Sequence, residues 1–145
     1  MPHLTLPISP AGPLLDILVG VSHPREEALR ESGQPIPPPV QVRGLVDTGA
    51  SCSCMDPAVL TQLALSPTGS VSMMTPSTGA APHLCDQYDV SITLIHTNLA
   101  LTLNSIPVME SHLAMQGIQA LIGRDVLSQC VLVYNGATAI YTLCF

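Results

Sequence analysis

Apolar residues along this chain fall in short runs rich in Val, Ile, Leu and Thr, cut at close intervals by ten glycines and fourteen prolines. Frequent punctuation between short β-favouring runs predicts an all-β chain with many turns. Leu4 to Ile8 and Leu14 to Val21 read as two strands separated by the turn Ser9-Pro10-Ala11-Gly12-Pro13. His23 to Pro39 carries three of the four acidic residues among the first 46 positions and ends in Pro35-Ile36-Pro37-Pro38-Pro39. It cannot be a paired central strand. It reads as an exposed insertion loop over about 23–39, with at most one helical turn around Arg25 to Glu31, where Glu26, Glu27, Arg30 and Glu31 form a solvated face.

A strand resumes at Val40 and runs into Leu45-Val46-Asp47-Thr48-Gly49-Ala50-Ser51. Asp56-Pro57 before Ala58 to Leu63 predicts a short helix with an Asp cap and Pro in its first turn. From Val71 to Leu94 two strand-like arms flank the small-residue centre 75–82, which predicts a hairpin. Further strands are expected over Leu99 to Leu103 and Ile106 to Met109. Ala120-Leu121-Ile122-Gly123 then leads into Arg124 to Gln129, with the composition of a short helix. The turn Asn135-Gly136 between Val131 to Tyr134 and Ala139 to Leu143 predicts a closing hairpin.

At 145 residues the chain suits a single domain over 1–145 that needs neither disulfide nor metal to fold. One Phe, three Tyr and no Trp require an aliphatic core. Charged residues are only 10%, against about 25% in ordinary domains, so part of the surface is expected to lie against another copy or a partner. There is no lysine, which excludes Schiff-base and P-loop chemistry, and the net charge is −6. Four scattered arginines cannot neutralise a run of phosphates, so nucleic acid and anionic membranes are not expected partners. No apolar run approaches the roughly 20 residues that span a bilayer, and no secretory-type start is seen. A soluble, unexported, cytoplasmic protein without membrane insertion is expected. Five cysteines at 52, 54, 85, 130 and 144 lack a disulfide or zinc-ribbon pattern and read as reduced thiols. The Cys52-x-Cys54 pair reads as ordinary thiols, and no metal or other cofactor is expected. Of the five histidines, which share no metal-site spacing, only His83 follows the hairpin tip closely enough to touch a ligand.

The block carrying chemistry is Leu45-Val46-Asp47-Thr48-Gly49-Ala50-Ser51. An Asp at the end of a buried strand is costly unless its carboxylate is used or hydrogen-bonded, and the following Gly lets a backbone N–H approach it. About 75 residues later comes Ala120-Leu121-Ile122-Gly123-Arg124-Asp125-Val126-Leu127. Together the two blocks resemble the retroviral-type, or retropepsin-like, aspartic proteases and their single-domain cellular and bacterial relatives, over nearly the whole chain except about 23–39.

The resemblance implies a closed or partly open β-barrel with a flap hairpin and one short C-terminal helix. It also implies an aspartic endopeptidase that works as a homodimer on peptide or protein substrates. Peptide hydrolysis through activated water needs one carboxylate and one carboxylic acid sharing a proton, and this chain has one Asp-Thr-Gly. Asp47 of each copy would therefore meet across a two-fold axis. Thr48 would brace the loops across that axis and Gly49 would offer its carbonyl to substrate. Ala50 and Ser51 would border the substrate, and Thr78, Gly79 and Ala80 would form the flap tip. Val46, Met73, Met74 and Ile122 would wall apolar pockets, while Leu121, Gly123 and Arg124 would support the catalytic loop. Ser51 stands where many viral members carry an acidic residue, which leaves the partner of Arg124 open among Asp125, Asp56 and a backbone carbonyl. The Pro-rich segment is read as a lid, a partner site or a self-cleavage region. The alternative function is a catalytically silent dimeric peptide-binding module on the same fold.

Overall fold

The structure, a computed structural model, describes residues 1–74, 79–95, 97 and 99–145. Among these, ten strands and three α-helices succeed one another: β1 (His3–Pro7), β2 (Leu14–Val21), α1 (His23–Glu31), β3 (Val40–Val46), β4 (Cys54–Met55), α2 (Pro57–Gln62), β5 (Gly69–Met73), β6 (His83–Ile95), β7 (Ala100–Glu110), β8 (Ala120–Ile122), α3 (Arg124–Leu127), β9 (Val131–Asn135) and β10 (Ile140–Cys144). A 3-10 turn at Ala114–Gln116 lies between β7 and β8.

Six strands in the order β2-β3-β8-β4-β7-β6 close into a barrel because β2 pairs antiparallel with β3 along Leu14–Val19 and with β6 along Ile17–Val21. The strand period of two explains the closure. Leu15, Ile17, Val19 and Val21 on β2, Val42 and Val46 on β3, and Tyr88, Val90, Ile92 and Leu94 on β6 all point inward and are buried. Each such aliphatic side chain contributes about 1.5–3 kcal/mol on burial. β5 extends the sheet from β6 as the expected hairpin, paired from Gly69↔Gln87 to Met73↔His83.

The chain ends form a separate sheet in the order β1-β10-β9. It is tied to the barrel by fully buried Tyr141, whose hydroxyl donates to the Leu14 carbonyl. Burial, with the charge of Asp16 adding to it, pushes this phenol up to about 12.

Several expectations change. The 23–39 segment is not all loop, since residues 23–31 form α1, longer than the single turn expected there, so the described residues hold three α-helices where the resemblance implied one C-terminal helix and the residues themselves another after Asp56. Ser22 caps α1 by accepting from the Arg25 N–H at 3.4 Å, Arg30 pairs with Glu26 at 2.6 Å, and buried Leu29 anchors the helix. Pro24 sits in the first turn, where a proline is tolerated, and the Pro-rich run 35–39 lies beyond the helix end. The two short strands expected over 99–109 are one strand, β7, paired with β6 across a register shift between Val90 and Ile92. The Asn135-Gly136 hairpin forms, but Asn135 pairs with Ile140, so four residues make the turn and Ala139 takes the positive φ of 53°. Asp56 and Pro57 open α2 as expected. All five cysteines are unpaired. Among the described residues, no helix is long and apolar enough to cross a membrane.

Candidate active site

β3 delivers Asp47 by alternation: Val42, Gly44 and Val46 face the core, and the next residue emerges at the barrel end. Gly44 is needed where β3 lies against β8, because a Cβ there would sit 2.9 Å from Ile122 Cδ1. The parallel β3–β8 pairing continues past the strand, as the Asp47 N–H donates to the Ile122 carbonyl at 2.9 Å. The chain then turns. The Ala50 N–H donates to the Asp47 carbonyl at 3.3 Å, and the Gly49 N–H donates to Asp47 Oδ1 at 2.9 Å. One carboxylate oxygen is thus fixed by backbone, and the half-buried carboxyl borders an open cleft of about 920 Å³.

α3 braces this turn from behind. The Arg124 N–H donates to the Ala50 carbonyl at 2.9 Å, and Arg124 Nη1 donates to the carbonyls of Thr48 at 3.0 Å and Gly49 at 3.4 Å. Of the three partners left open for Arg124, the backbone carbonyls are the ones it meets. Gly123 is required by close approach: a Cβ there would lie 2.7 Å from the Cys52 carbonyl carbon and 2.8 Å from its oxygen. Backbone cannot give way as a flexible side-chain end does, so Gly123→Ala is expected to cost about 2–3 kcal/mol, in the upper range of overpacking. Calorimetry should show this as a Tm lower by roughly 5–10 °C. A Tm within a degree of wild type would mean the two loops are not rigidly apposed.

Sequence reasoning missed Ser53. Its fully buried hydroxyl accepts from the Gly123 N–H at 3.0 Å and donates to Asp125 Oδ1 at 2.8 Å, while its own N–H donates to Asp125 Oδ2 at 2.8 Å. Asp125 also accepts from the Val126 N–H at 2.9 Å. Ser53 and Asp125 therefore stitch the segment after the Asp47 turn to α3. The available signal was a small polar residue between two cysteines, just before the short apolar strand β4.

Thr48, Gly49 and Ser51 are exposed, and Gly49, Ala50 and Ser51 line the cleft with Asp47. The β5–β6 hairpin supplies another wall through Met73, Met74, His83 and Leu84. Gly79 and Ala80 lie at its exposed end, with Gly79 at a φ of 61°, whereas Thr78 lies outside the described residues. Ile122, expected as a pocket wall, is instead fully buried in the barrel core, as is most of Val46. Strand alternation turns Leu121 toward the cleft in its place.

Two carboxyls and two thiols in the cleft are committed elsewhere or chemically quiet. Asp86 accepts from the Ser70 hydroxyl at 3.3 Å and Glu110 from the Tyr88 hydroxyl at 3.4 Å, both on the wall across from Asp47. Burial, reinforced by neighbouring thiols and by Asp125 and Asp47, pushes the Cys54 thiol up to about 12, and burial also raises Cys52. A thiol so raised is not a thiolate at neutral pH and is a poor nucleophile. Among the described residues no group of three or more His, Cys, Asp and Glu side chains is arranged to hold a metal ion. What the site offers is one rigid, accessible carboxyl at the floor of an open groove.

The architecture superimposes on the crystal structure of a retropepsin-like aspartic protease from Rickettsia conorii with a TM-score of 0.58, covering 98% of this chain and 90% of that one. The fold is retropepsin-like. Sequence identity over that match is 13%, so the likeness is one of fold. No protein-family model matches the chain, and no curated protein sequence matches it.

Proposed function

We propose that the protein is an aspartic endopeptidase whose active form is a symmetric homodimer. The observation that carries this reading is the placement of Asp47: a carboxyl held by the Gly49 N–H, on a turn braced by Gly123 and Arg124, at the floor of a cleft walled by a hairpin. The shared fold with a retropepsin-like protease supports it.

In the proposed mechanism the two Asp47 carboxyls share one proton. The ionised carboxyl takes a proton from water as its oxygen attacks the scissile carbonyl carbon, and the protonated carboxyl gives its proton to the carbonyl oxygen. The resulting tetrahedral diol collapses with cleavage of the C–N bond: the protonated carboxyl gives its proton to the nitrogen, and the ionised carboxyl takes one from a diol hydroxyl, which restores the shared proton of the dyad. No covalent enzyme intermediate forms. Thr48 braces the paired loops, and Gly49, Ala50 and Ser51 line the path of an extended peptide. The hairpin end at Gly79 and Ala80 closes over it. Met73, Met74, Leu84 and Leu121 favour apolar side chains beside the cut. The terminal sheet supports pairing of two chains, since its outer strand β9 exposes Val131, Val133 and Tyr134 without any charge.

The test is cleavage of a mixed peptide library between pH 4 and 8 by wild type and Asp47→Ala. Cuts present only with wild type, with a bell-shaped pH profile, are expected because only the singly protonated pair is active. An uncut library with an intact dimer would overturn the protease reading in favour of a peptide-binding module.

A further inference from the structure

Asp56 is the one charged side chain buried among the described residues, at 6% exposure. An isolated buried carboxylate is costly, and such groups persist only where hydrogen bonds replace the lost water. Here three backbone N–H groups do so. Oδ1 accepts from Ala58 at 3.0 Å and caps α2. Oδ2 accepts from Leu113 at 2.9 Å and Ala114 at 3.0 Å, more than fifty residues away in sequence. The flanking backbone adds two more ties: the Asp56 N–H donates to the Gln119 carbonyl and the Ser111 N–H donates to the Met55 carbonyl, each at 2.9 Å. Burial by itself would raise the carboxyl pKa, but the three N–H donors and His112 outweigh it and hold the group below the usual carboxylate range. The ionised carboxylate is therefore the form these donors favour.

The segment so clamped runs from the end of β7 to the start of β8 and has no strand pairing of its own between Ser111 and Gln119. Ser111, His112, Leu113 and Gln116 form one side of the cleft. We propose that Asp56 is a positioning residue for the cleft: its buried carboxylate sets the place of the wall over 111–116 and so the fit of the bound peptide, acting on binding and not on the chemical step. This rests on the endopeptidase reading of the same cleft. Asp47 has separate support, through Gly49, Ser53 and Arg124, so its geometry does not depend on the clamp.

The isosteric change Asp56→Asn is the discriminating one. An amide has a single acceptor oxygen, so its NH₂ must face either the Ala58 N–H or the pair from Leu113 and Ala114, donor against donor. Asp56→Ser separates the two duties, because its short hydroxyl caps α2 but does not reach the wall. Both variants are compared with wild type by amide exchange and by steady-state kinetics on the best library peptide. Exchange at Leu113 and Ala114 is expected to rise about tenfold or more in Asp56→Ser, with Gly49 and Gly123 amides unchanged. KM should rise about tenfold, the scale of a lost hydrogen bond to a charged group, with kcat within about threefold. Unchanged exchange and KM would overturn the proposal. So would a fall in kcat alongside faster exchange throughout the chain, since that marks general destabilisation. A wild type that cuts no peptide would sink the endopeptidase reading alone, because the exchange measurement still decides whether Asp56 holds the wall.

Discussion

Asp47→Asn is expected to lower kcat/KM by about 10⁴-fold or more, because in a symmetric dimer the change removes the general base and the general acid together, each of which typically contributes 10²–10⁴. Little else in the structure should move. The amide oxygen of Asn can still accept from the Gly49 N–H, and the turn keeps its bonds to Ile122 and Arg124, which are made through backbone. Circular dichroism and sedimentation should therefore match wild type. The variant also retains Cys52, Cys54 and Cys85 in the cleft, so any thiol-dependent cleavage would survive the substitution. Residual activity above about 1% of wild type would show that Asp47 is not the acid and base, well outside the expected range.

The geometry of the Asp47 turn was legible because its signals are local. Gly123 stands where a Cβ would meet the Cys52 backbone at 2.7 Å, and only glycine permits that approach, while Gly49 offers its N–H to the Asp47 carboxyl two residues before it. The cap at Asp56-Pro57 was legible for the same reason. The second duty of Asp56 was not, since Leu113 and Ala114 meet it only through the barrel closing, and no pattern near residue 56 announces them. Ser53 is similar: its hydroxyl is spent on Gly123 and Asp125, seventy or more residues away. The exchange of Ile122 for Leu121 as the cleft-facing residue is a matter of strand parity, fixed by the register Val46↔Ile122 and invisible in an apolar pair. In the 23–39 segment the prolines dominated the composition, but Pro24 fits the first turn of α1, the Pro-rich run 35–39 lies past its end, and the pairs Glu26–Arg30 and His23–Glu27 lie within it.

Mixing wild type with Asp47→Ala should remove more activity than dilution of the wild type explains. One chain carries one Asp-Thr-Gly, and the other carboxyls lining its cleft, Asp86 and Glu110, are engaged by Ser70 and Tyr88 on a different wall. A mixed dimer therefore has one carboxyl where the mechanism requires two sharing a proton, and it cannot act as base and acid in the same step. If chains pair at random, nine parts variant to one of wild type leave about a tenth of wild-type chains paired with another wild-type chain, as expected for a self-complementary two-fold interface. Activity per wild-type chain should fall about tenfold after subunits have exchanged, and not at all if assayed before exchange. Adding Asp47→Ala to a fixed amount of wild type thus separates two structures of the site. Activity that stays proportional to wild type at every ratio, with exchange verified by a tagged chain, would place a complete site within one chain and remove the reason for the dimer. Activity that falls with the fraction of wild type would assign the second carboxyl to the partner copy, as the proposed mechanism expects.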